Sequence, residues 1–414
     1  MSSARRQIAW GLVDQGLSSA TNFGGSVLAA RSLSAREFGT FSIGFAVYLI
    51  ALGLSRAWSS DPLTIRYSAA SEGDQNAATR SAAGTAVGIG LALAGLLTLI
   101  GLQLPTTTRR TLLVVAVVLP GLLLQDLCRY ALIMRRRSAA ASFNDGVWLL
   151  CMITAFVVST REDLSAPRAM FCWTIGAGVA AAVGIGQLRL VPSASVRAWI
   201  GTSRDLSTRY AAEFLLVTGT GYLVTVLLAA LGGVERVAGF RGALVVLGPL
   251  NVIFIGLQMQ ATPAFVRRVG TELATVRKLC GQLSAVLGGS ALVWVIVAFL
   301  LPSRLGTALL GDSWGRSRPL IPILGLAYVT SGATIGAVTG LRALGDARAS
   351  LRARFFVAPV AAVLSVGGAV FYGPKGAAGG MLIGNLFGLP IWWRMFLRSH
   401  SDHMISGSPQ VIHG

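Results

Sequence analysis

Apolar residues occur along this chain in long blocks, and the length of those blocks limits what the chain can fold into. An α-helix needs about 20 residues to cross a hydrocarbon core of roughly 30 Å. Inside hydrocarbon only helices and closed barrels satisfy every backbone N–H and C=O group, and barrel strands would alternate over about 10 residues. Twelve helix-length blocks are present: 8–30, 39–60, 82–103, 111–131, 146–160, 169–190, 210–231, 240–262, 283–302, 319–341, 354–372 and 376–397. The chain is therefore predicted to be an all-α polytopic membrane protein with about 12 transmembrane helices.

Charged residues are few and are mostly basic. They make up 12% of the chain, against 54% hydrophobic residues, and the net charge is +19. Most Lys and Arg residues fall on alternate connections that share one side with both termini, and basic residues are retained on the cytoplasmic side. Both termini are therefore predicted to be cytoplasmic. The basic residues are spread over many loops, which favours contact with anionic membrane lipids over nucleic-acid binding.

Motifs for several kinds of chemistry are absent from the sequence. There is no phosphate-binding G-x-x-x-x-G-K-[ST] loop, and the four cysteines form no C-x-x-C pair. All three histidines follow the last apolar block. We therefore predict that the chain is not an enzyme and that it needs no metal or cofactor.

The chain also repeats itself. Four residues in the first half recur in the second half, in the same order and at nearly the same spacing. The two sets are Asp14, Gly39, Pro62 and Arg66, and Glu213, Gly239, Pro263 and Arg267. We predict an N-terminal six-helix lobe at 1–195, a cytoplasmic linker at 196–209, a C-terminal six-helix lobe at 210–398 and a polar tail at 399–414. An even number of helices in each half makes the repeats parallel, and in such transporters substrates pass through a central cavity between the lobes.

A short polar stretch between the first two blocks, "LAARSLSAREFG", resembles the first hairpin of the polysaccharide exporters. These are lipid-linked oligosaccharide flippases, of the type that carries O-antigen, in the multidrug/oligosaccharidyl-lipid/polysaccharide (MOP) superfamily. A second similarity is the basic turn "MRRRS" before the fifth helix. Ala35 and Arg36 depart from the usual proline and glutamate. The matching residues are Ala30, Arg31, Leu33, Ser34, Glu37, Phe38 and Gly39.

The resemblance implies a MATE-like fold and a specific kind of transport. The substrate would be an oligosaccharide on a polyprenyl phosphate or pyrophosphate, flipped from the inner to the outer leaflet for cell-surface polysaccharide such as lipopolysaccharide. It also implies a bacterial-type inner membrane, with a polysaccharide polymerase and glycosyltransferases as partners. A MATE-type drug/cation antiporter, or a non-transporting scaffold for glycan-assembly enzymes, remain the alternatives.

A polar stripe follows one face of the first predicted helix. Gln15, Ser19, Asn22 and Ser26 recur at helical spacing, so they share a face that lines a wet cavity or bonds to a neighbouring helix.

Charges inside the spans are costly in lipid and indicate function. Asp14 and Arg56 are equally distant in sequence from Ala35, at the hairpin turn, and so should lie at one depth. We expect them to form an ion pair or to line the inner mouth of the cavity together. Arg56 is the leading candidate to bind a substrate phosphate.

Further candidates complete this set of charged and polar residues. Besides Arg56, substrate binding is assigned to Asp14, Gln15, Asn22, Arg66 and Gln258. Gln258 lies level with Glu213. Asp14, Asp126 and Glu213 are the candidates for proton or sodium coupling. The alternative is that the arginines only reach the membrane interface, and that Glu213 and Asp126 pair within their own helices with Arg209 and Arg129.

Overall fold

The computed structural model describes residues 3–68, 70–159, 164–193, 195–215, 219–269 and 273–406. Within these ranges it leaves undescribed the side chains of 3–9, 12, 213, 256, 259, 260, 262–264, 266, 267, 347, 405 and 406. The described ranges are helical throughout, apart from short turns, and contain no strand. The predicted all-α fold is therefore confirmed.

The first half of the chain forms eight helices and one π-helical turn. They are α1 Ser3–Ser32, α2 Ala35–Ser55, the π-turn Arg56–Ser60, α3 Asp61–Tyr67, α4 Glu72–Gly101, α5 Thr106–Met134, α6 Ser138–Ser159, α7 Ala166–Leu188 and α8 Val196–Phe214.

The second half forms seven further helices. They are α9 Thr220–Gly232, α10 Val234–Val269, α11 Leu273–Phe299, α12 Ser303–Leu310, α13 Trp314–Ser317, α14 Ile321–Ala343 and α15 Ala347–Ser406. The last is broken at Gly373, whose φ of 62° and ψ of −145° are not helical and suit a residue without Cβ. This break separates the predicted blocks 354–372 and 376–397.

Among the described residues, nine helical segments are long and apolar enough to cross a membrane. Each of the twelve predicted blocks lies largely within helix. The longest segment, Arg348–Met404, contains two of those blocks, and α9 is only 13 residues long. The polar α1 is not among the nine. The chain is thus a multi-pass membrane protein, whereas the side on which its termini lie stays a prediction.

The chain divides into two compact units. The first unit comprises Met1–Ala229 with Ala308–Ser313, and the second comprises Ala230–Thr307 with Trp314–Gly414. Helix α8 belongs to the first unit, although the sequence suggested a linker at 196–209. The predicted division into two six-helix lobes stays a prediction.

The segment that was expected to be a polar tail begins as part of a packed helix. Helix α15 continues to Ser406, so residues 399–406 are helical. His400 is buried, and its Nε2 lies 2.9 Å from the Leu273 carbonyl oxygen of α11. The helix continues past the end of the apolar pattern, because its last turns are stabilised by the polar contact and the burial of His400.

The stretch that carries the family resemblance forms the turn between α1 and α2. Ser34 caps α2, since its hydroxyl accepts a hydrogen bond from the Glu37 N–H at 3.3 Å. The Glu37 carboxylate accepts a hydrogen bond from the backbone N–H of Ala166, the first residue of α7. A carboxylate is favourable there, because the N-terminus of a helix carries partial positive charge and unpaired N–H groups. Glu37 therefore ties the first hairpin to α7.

Close helix packing in the second unit depends on small residues. Gly336 of α14 faces α11, and its N–H donates to the Ser284 hydroxyl at 3.0 Å. A Cβ at Gly336 would collide with the backbone carbonyl of Cys280. Backbones that approach this closely leave no room for a side chain.

We predict that Gly336→Ala lowers the free energy of unfolding by about 1–3 kcal/mol, because α11 and α14 must separate to admit a methyl group. Gly289→Ala is the matched control. Nothing lies within 4 Å of a Cβ built at Gly289, so the alanine there is neutral or slightly stabilising. Thermal unfolding of the purified proteins in detergent measures both effects. Equal melting temperatures for the two variants would contradict the packing argument.

Candidate functional site

Five charged side chains from four elements meet inside the first unit, and we call them the charged cluster. They are Asp14 of α1, Arg56 of the π-turn, Asp126 and Arg129 of α5, and Asp145 of α6. The side chains of Asp14, Arg129 and Asp145 are each less than one-tenth exposed. Charges buried to this degree are tolerated only when they are paired.

Arg56 and Asp126 form a two-pronged ion pair. Nε of Arg56 donates to Oδ2 of Asp126 at 2.9 Å, and Nη2 donates to Oδ1 at 2.6 Å. The guanidinium carbon also lies 5.2 Å from the ring centroid of Tyr130, within range of a cation–π interaction. The Arg56 side chain is 33% exposed and that of Asp126 is 7% exposed. The arginine is therefore the accessible member of the pair.

Arg129 is the buried centre of the cluster. Its Nε donates to Oδ2 of Asp14 at 2.8 Å, and its Nη2 lies 2.7 Å from the same oxygen. The Nε also lies 3.2 Å from Oδ2 of Asp145. A weaker contact of 3.4 Å joins Nη2 to the Gln15 side-chain oxygen. One guanidinium thus serves two carboxylates on two different helices.

One side-chain amide contacts Asp145, and a second amide lies beside the first. The Gln125 side-chain amide donates to Oδ1 of Asp145 and to the Asn144 side-chain oxygen, both at 3.0 Å. Asn144 in turn donates to the Ala180 carbonyl at 2.6 Å. Even so, Oδ1 of Asp14 and Oδ2 of Asp145 accept no hydrogen bond from any described residue. The 3.2 Å contact of Asp145 with Arg129 is consequently an ion pair without hydrogen-bond geometry.

The cluster holds more negative than positive side chains. It contains three carboxylates and two guanidiniums. Since an uncompensated carboxylate is costly away from water, the cluster is balanced when one more positive charge, a proton or a cation, is present.

A proline explains the shape of the turn that holds Arg56. Pro62 has no N–H, so the Trp58 carbonyl four residues earlier cannot accept the usual α-helical hydrogen bond. The π-turn precedes this proline, with the Arg56 carbonyl bonded to the Asp61 N–H five residues later. The indole N–H of Trp199 in α8 donates to the Trp58 carbonyl at 2.9 Å. Helix α8 thus supplies a donor to the carbonyl that has lost its usual α-helical partner.

The predicted pairing of Asp14 with Arg56 is wrong. Each charge has a different partner, Arg129 for Asp14 and Asp126 for Arg56, although all four belong to one cluster. A local pair between Asp126 and Arg129 is also not formed, because both oxygens of Asp126 accept from Arg56. Equal depth correctly indicated proximity, but it did not determine which side chains face each other.

Three residues of the site were missed from the sequence: Gln125, Asn144 and Asp145. The fifth apolar block was placed at 146–160, directly after Asp145, whereas α6 begins at Ser138. An acid and an amide next to each other at the start of an apolar block were the available signal.

The polar stripe on α1 bonds mainly within its own helix. The Asn22 amide donates to the Ser18 carbonyl at 3.0 Å, and the Ser26 hydroxyl donates to the Asn22 carbonyl at 2.9 Å. Gln15 reaches Ser19 at 3.5 Å as well as contacting Arg129. Gln15 is therefore the member of the stripe that joins the cluster.

The other predicted site residues lie elsewhere. Arg66 binds the Asp205 carboxylate at 2.6 Å and the Thr202 carbonyl, both in α8. Gln258, in the second unit, donates to the Thr339 hydroxyl at 3.4 Å. The side chain of Glu213 lies outside the described residues. A role for these residues in binding or coupling stays a prediction.

Comparisons of structure find proteins of the same fold. A MATE-family multidrug resistance transporter of the MOP superfamily, inward-facing, has a TM-score of 0.77 and 12% identity over 96% of this chain and 100% of that chain. The lipid II flippase MurJ, in an inward closed conformation, has a TM-score of 0.73 and 12% identity over 96% and 91% of the two chains. An outward-facing MATE transporter has a TM-score of 0.59 and 13% identity over 97% and 96%.

Sequence comparisons find no such relatives. No model of a protein family matches the chain, and no curated protein matches it either. At 12% identity the structural likeness establishes the fold, which is the one that MATE transporters and MurJ share.

We predict that Arg129→Met lowers the free energy of unfolding by about 3–5 kcal/mol, because Asp14 and Asp145 then face each other with no guanidinium between them. The triple variant Asp14→Asn/Arg129→Met/Asp145→Asn removes all three charges and recovers most of that loss. Arg316→Ala is the control. It breaks an exposed ion pair with Glu235 and costs about 0–1 kcal/mol. Thermal unfolding in detergent measures each change; a triple variant as unstable as Arg129→Met would refute the role of charge pairing.

Proposed function

We propose that this chain is a membrane flippase that moves a lipid-linked anionic glycan from the inner to the outer leaflet of a bacterial-type inner membrane. Its substrate is an oligosaccharide carried on a polyprenyl phosphate or pyrophosphate, as in the assembly of O-antigen and other cell-surface polysaccharides. The observation that carries this proposal is the position of Arg56. It is a partly exposed guanidinium inside the membrane-spanning segment Ala35–Tyr67, where a charge is costly and indicates a function.

The fold supports transport rather than catalysis. The solved structures that share it are a MATE multidrug transporter and a lipid II flippase. The second of these flips lipid II, as its name says. The resemblance of the hairpin "LAARSLSAREFG" to the polysaccharide exporters narrows the proposed substrate to a glycan on a lipid carrier.

The geometry of Arg56 suits a phosphate. A guanidinium presents five N–H groups and binds phosphate in a fork-like manner. Asp126 uses Nε and one Nη2 hydrogen, and no described residue accepts a hydrogen bond from Nη1. The end of the guanidinium formed by Nη1 and Nη2 is thus available to a headgroup. The lipid tail of the substrate would stay in the bilayer while only the hydrated headgroup passes through the protein.

Energy coupling is proposed to involve the surplus carboxylate of the charged cluster. With three carboxylates and two guanidiniums, the cluster holds a proton or a monovalent cation more readily than an anion. Asp14 and Asp126, proposed from the sequence, both belong to it, and Asp145 joins them. Polysaccharide polymerase and glycosyltransferases are the proposed partners, because they consume and produce such a substrate.

A drug/cation antiporter is the second candidate. The same surplus of carboxylates favours it, and so does the likeness to MATE transporters. The two candidates differ in the charge of the substrate. Accumulation of lipid-linked oligosaccharide on the inner leaflet of a deletion strain supports the flippase, whereas drug resistance on overexpression supports the antiporter.

We predict that Arg56→Ala reduces export of the lipid-linked glycan at least tenfold, because the phosphate loses its charged hydrogen-bond donor. The measurement is the amount of glycan at the cell surface in a deletion strain complemented with each variant. Arg31→Ala, at an exposed arginine in the last turn of α1, is the control and retains export.

Removing Arg56 alone also leaves Asp126 unpaired, so a second variant is needed. Arg56→Ala/Asp126→Ala removes both charges and restores the folded amount while export stays lost. Normal export by either Arg56 variant, at normal expression, would refute the assignment of Arg56 to the substrate.

A further inference from the structure

We infer that Asp126 takes up a proton when an anionic headgroup binds Arg56, so that headgroup and proton bind together at one ion pair. This inference rests on the proposed function, and it adds a regulatory role to Asp126. The ion pair is thereby both the place where the substrate is recognised and the place where its binding is linked to pH.

The first step in the argument is that Asp126 and the headgroup would share one guanidinium. Asp126 already holds Nε and Nη2 of Arg56, at 2.9 and 2.6 Å. A phosphate on Nη1 and the remaining Nη2 hydrogen would lie within roughly 5 Å of the Asp126 carboxylate, since both anions contact the same planar group. A phosphate that displaced Asp126 instead would deprive the carboxylate of both its hydrogen bonds. In either arrangement the charged form of Asp126 becomes less favourable.

Burial prevents water from taking over the role of the arginine. The Asp126 side chain is 7% exposed, against 33% for Arg56. The headgroup can therefore approach the arginine, while the carboxylate behind it stays out of water. A carboxylate favours its neutral form when it is not hydrated and when its cationic partner is shared with a second anion.

Among the described residues, Arg129 is the other cation that lies next to Asp126, and it is not free to replace Arg56. Arg129 lies one helical turn after Asp126, but Asp14 and Asp145 already share it. The remaining titratable groups that act on this site are Asp61 of α3, Tyr48 of α2, and Cys128 and Tyr130 of α5. None of these four carries a positive charge. A proton is thus the charge that can compensate Asp126 when the headgroup arrives.

The linkage has a definite sign. If binding takes up one proton, then the affinity for the headgroup is highest at low pH. It falls as pH rises through the window in which the complex holds that proton and the free protein does not, and it is constant above that window. The limit for one proton is about a tenfold loss of affinity per pH unit. By reciprocity, the bound headgroup raises the affinity of the protein for that proton by the same factor.

The test uses a probe that does not itself titrate. A short polyprenyl methyl phosphodiester carries one negative charge throughout the pH range of interest. Its binding to the purified full-length protein in detergent is measured by calorimetry from pH 5 to 9, in two buffers that differ in ionisation enthalpy. The difference between the buffers gives the number of protons taken up.

The wild type should take up close to one proton, and its affinity should fall with rising pH. Asp126→Asn mimics the protonated carboxyl group. It should take up none and bind at pH 9 as tightly as the wild type binds at low pH. Asp126→Glu restores a carboxylate and should restore the proton uptake. Asp402→Asn removes an exposed acid near the end of α15 and should behave as the wild type does.

Two results would overturn the linkage. Asp126→Asn that still takes up a proton would place the proton elsewhere. If Asp126→Asn binds the probe more weakly than the wild type at every pH, then Asp126 only positions Arg56 and takes up no proton. The double variant Arg56→Ala/Asp126→Ala distinguishes failure of the proton linkage from failure of the proposed function. If it binds the probe as well as the wild type does, or if the wild type does not bind, then the proposed phosphate site itself is wrong.

Discussion

The cost of burying an unpaired charge among apolar helices governs how the first unit is arranged. Its charged cluster draws residues from α1, the π-turn, α5 and α6, so four elements separated in sequence must meet at fixed rotations. A slip of one residue in any of these helices would turn a carboxylate or a guanidinium away from its partner. The charges therefore specify the packing of these helices more narrowly than the surrounding apolar side chains do.

The helices could be predicted from the sequence because the requirement that produces them is local. Each block must satisfy its own backbone hydrogen bonds in hydrocarbon, whatever the other blocks do. The break at Gly373 was also visible, as the gap between two apolar blocks. The end of α15 was not, because His400 contacts the start of α11 through a polar group, and an apolar pattern does not reveal such a contact.

The candidate site could be predicted only in part, for a physical reason. Counting residues from the hairpin turn gives the depth of a side chain along its helix. Equal depth correctly predicted that Asp14 and Arg56 belong to one cluster. Pairing depends in addition on how each helix is rotated about its axis, which is decided by tertiary packing. The alternative that Asp126 pairs with Arg129 was consequently wrong, and Asp145 was missed, even though each is an acid at the edge of, or inside, an apolar block.

The bond from Trp199 to the Trp58 carbonyl has a consequence for biosynthesis. The turn that holds Arg56 leaves the ribosome early, but the group that completes it lies about 140 residues later in the chain. Six predicted membrane spans must therefore be inserted before the turn obtains its last hydrogen-bond donor. A fragment that stops at residue 195 would contain every charged residue of the cluster and still leave this carbonyl without its partner, so the smallest separable first half of the protein extends through α8.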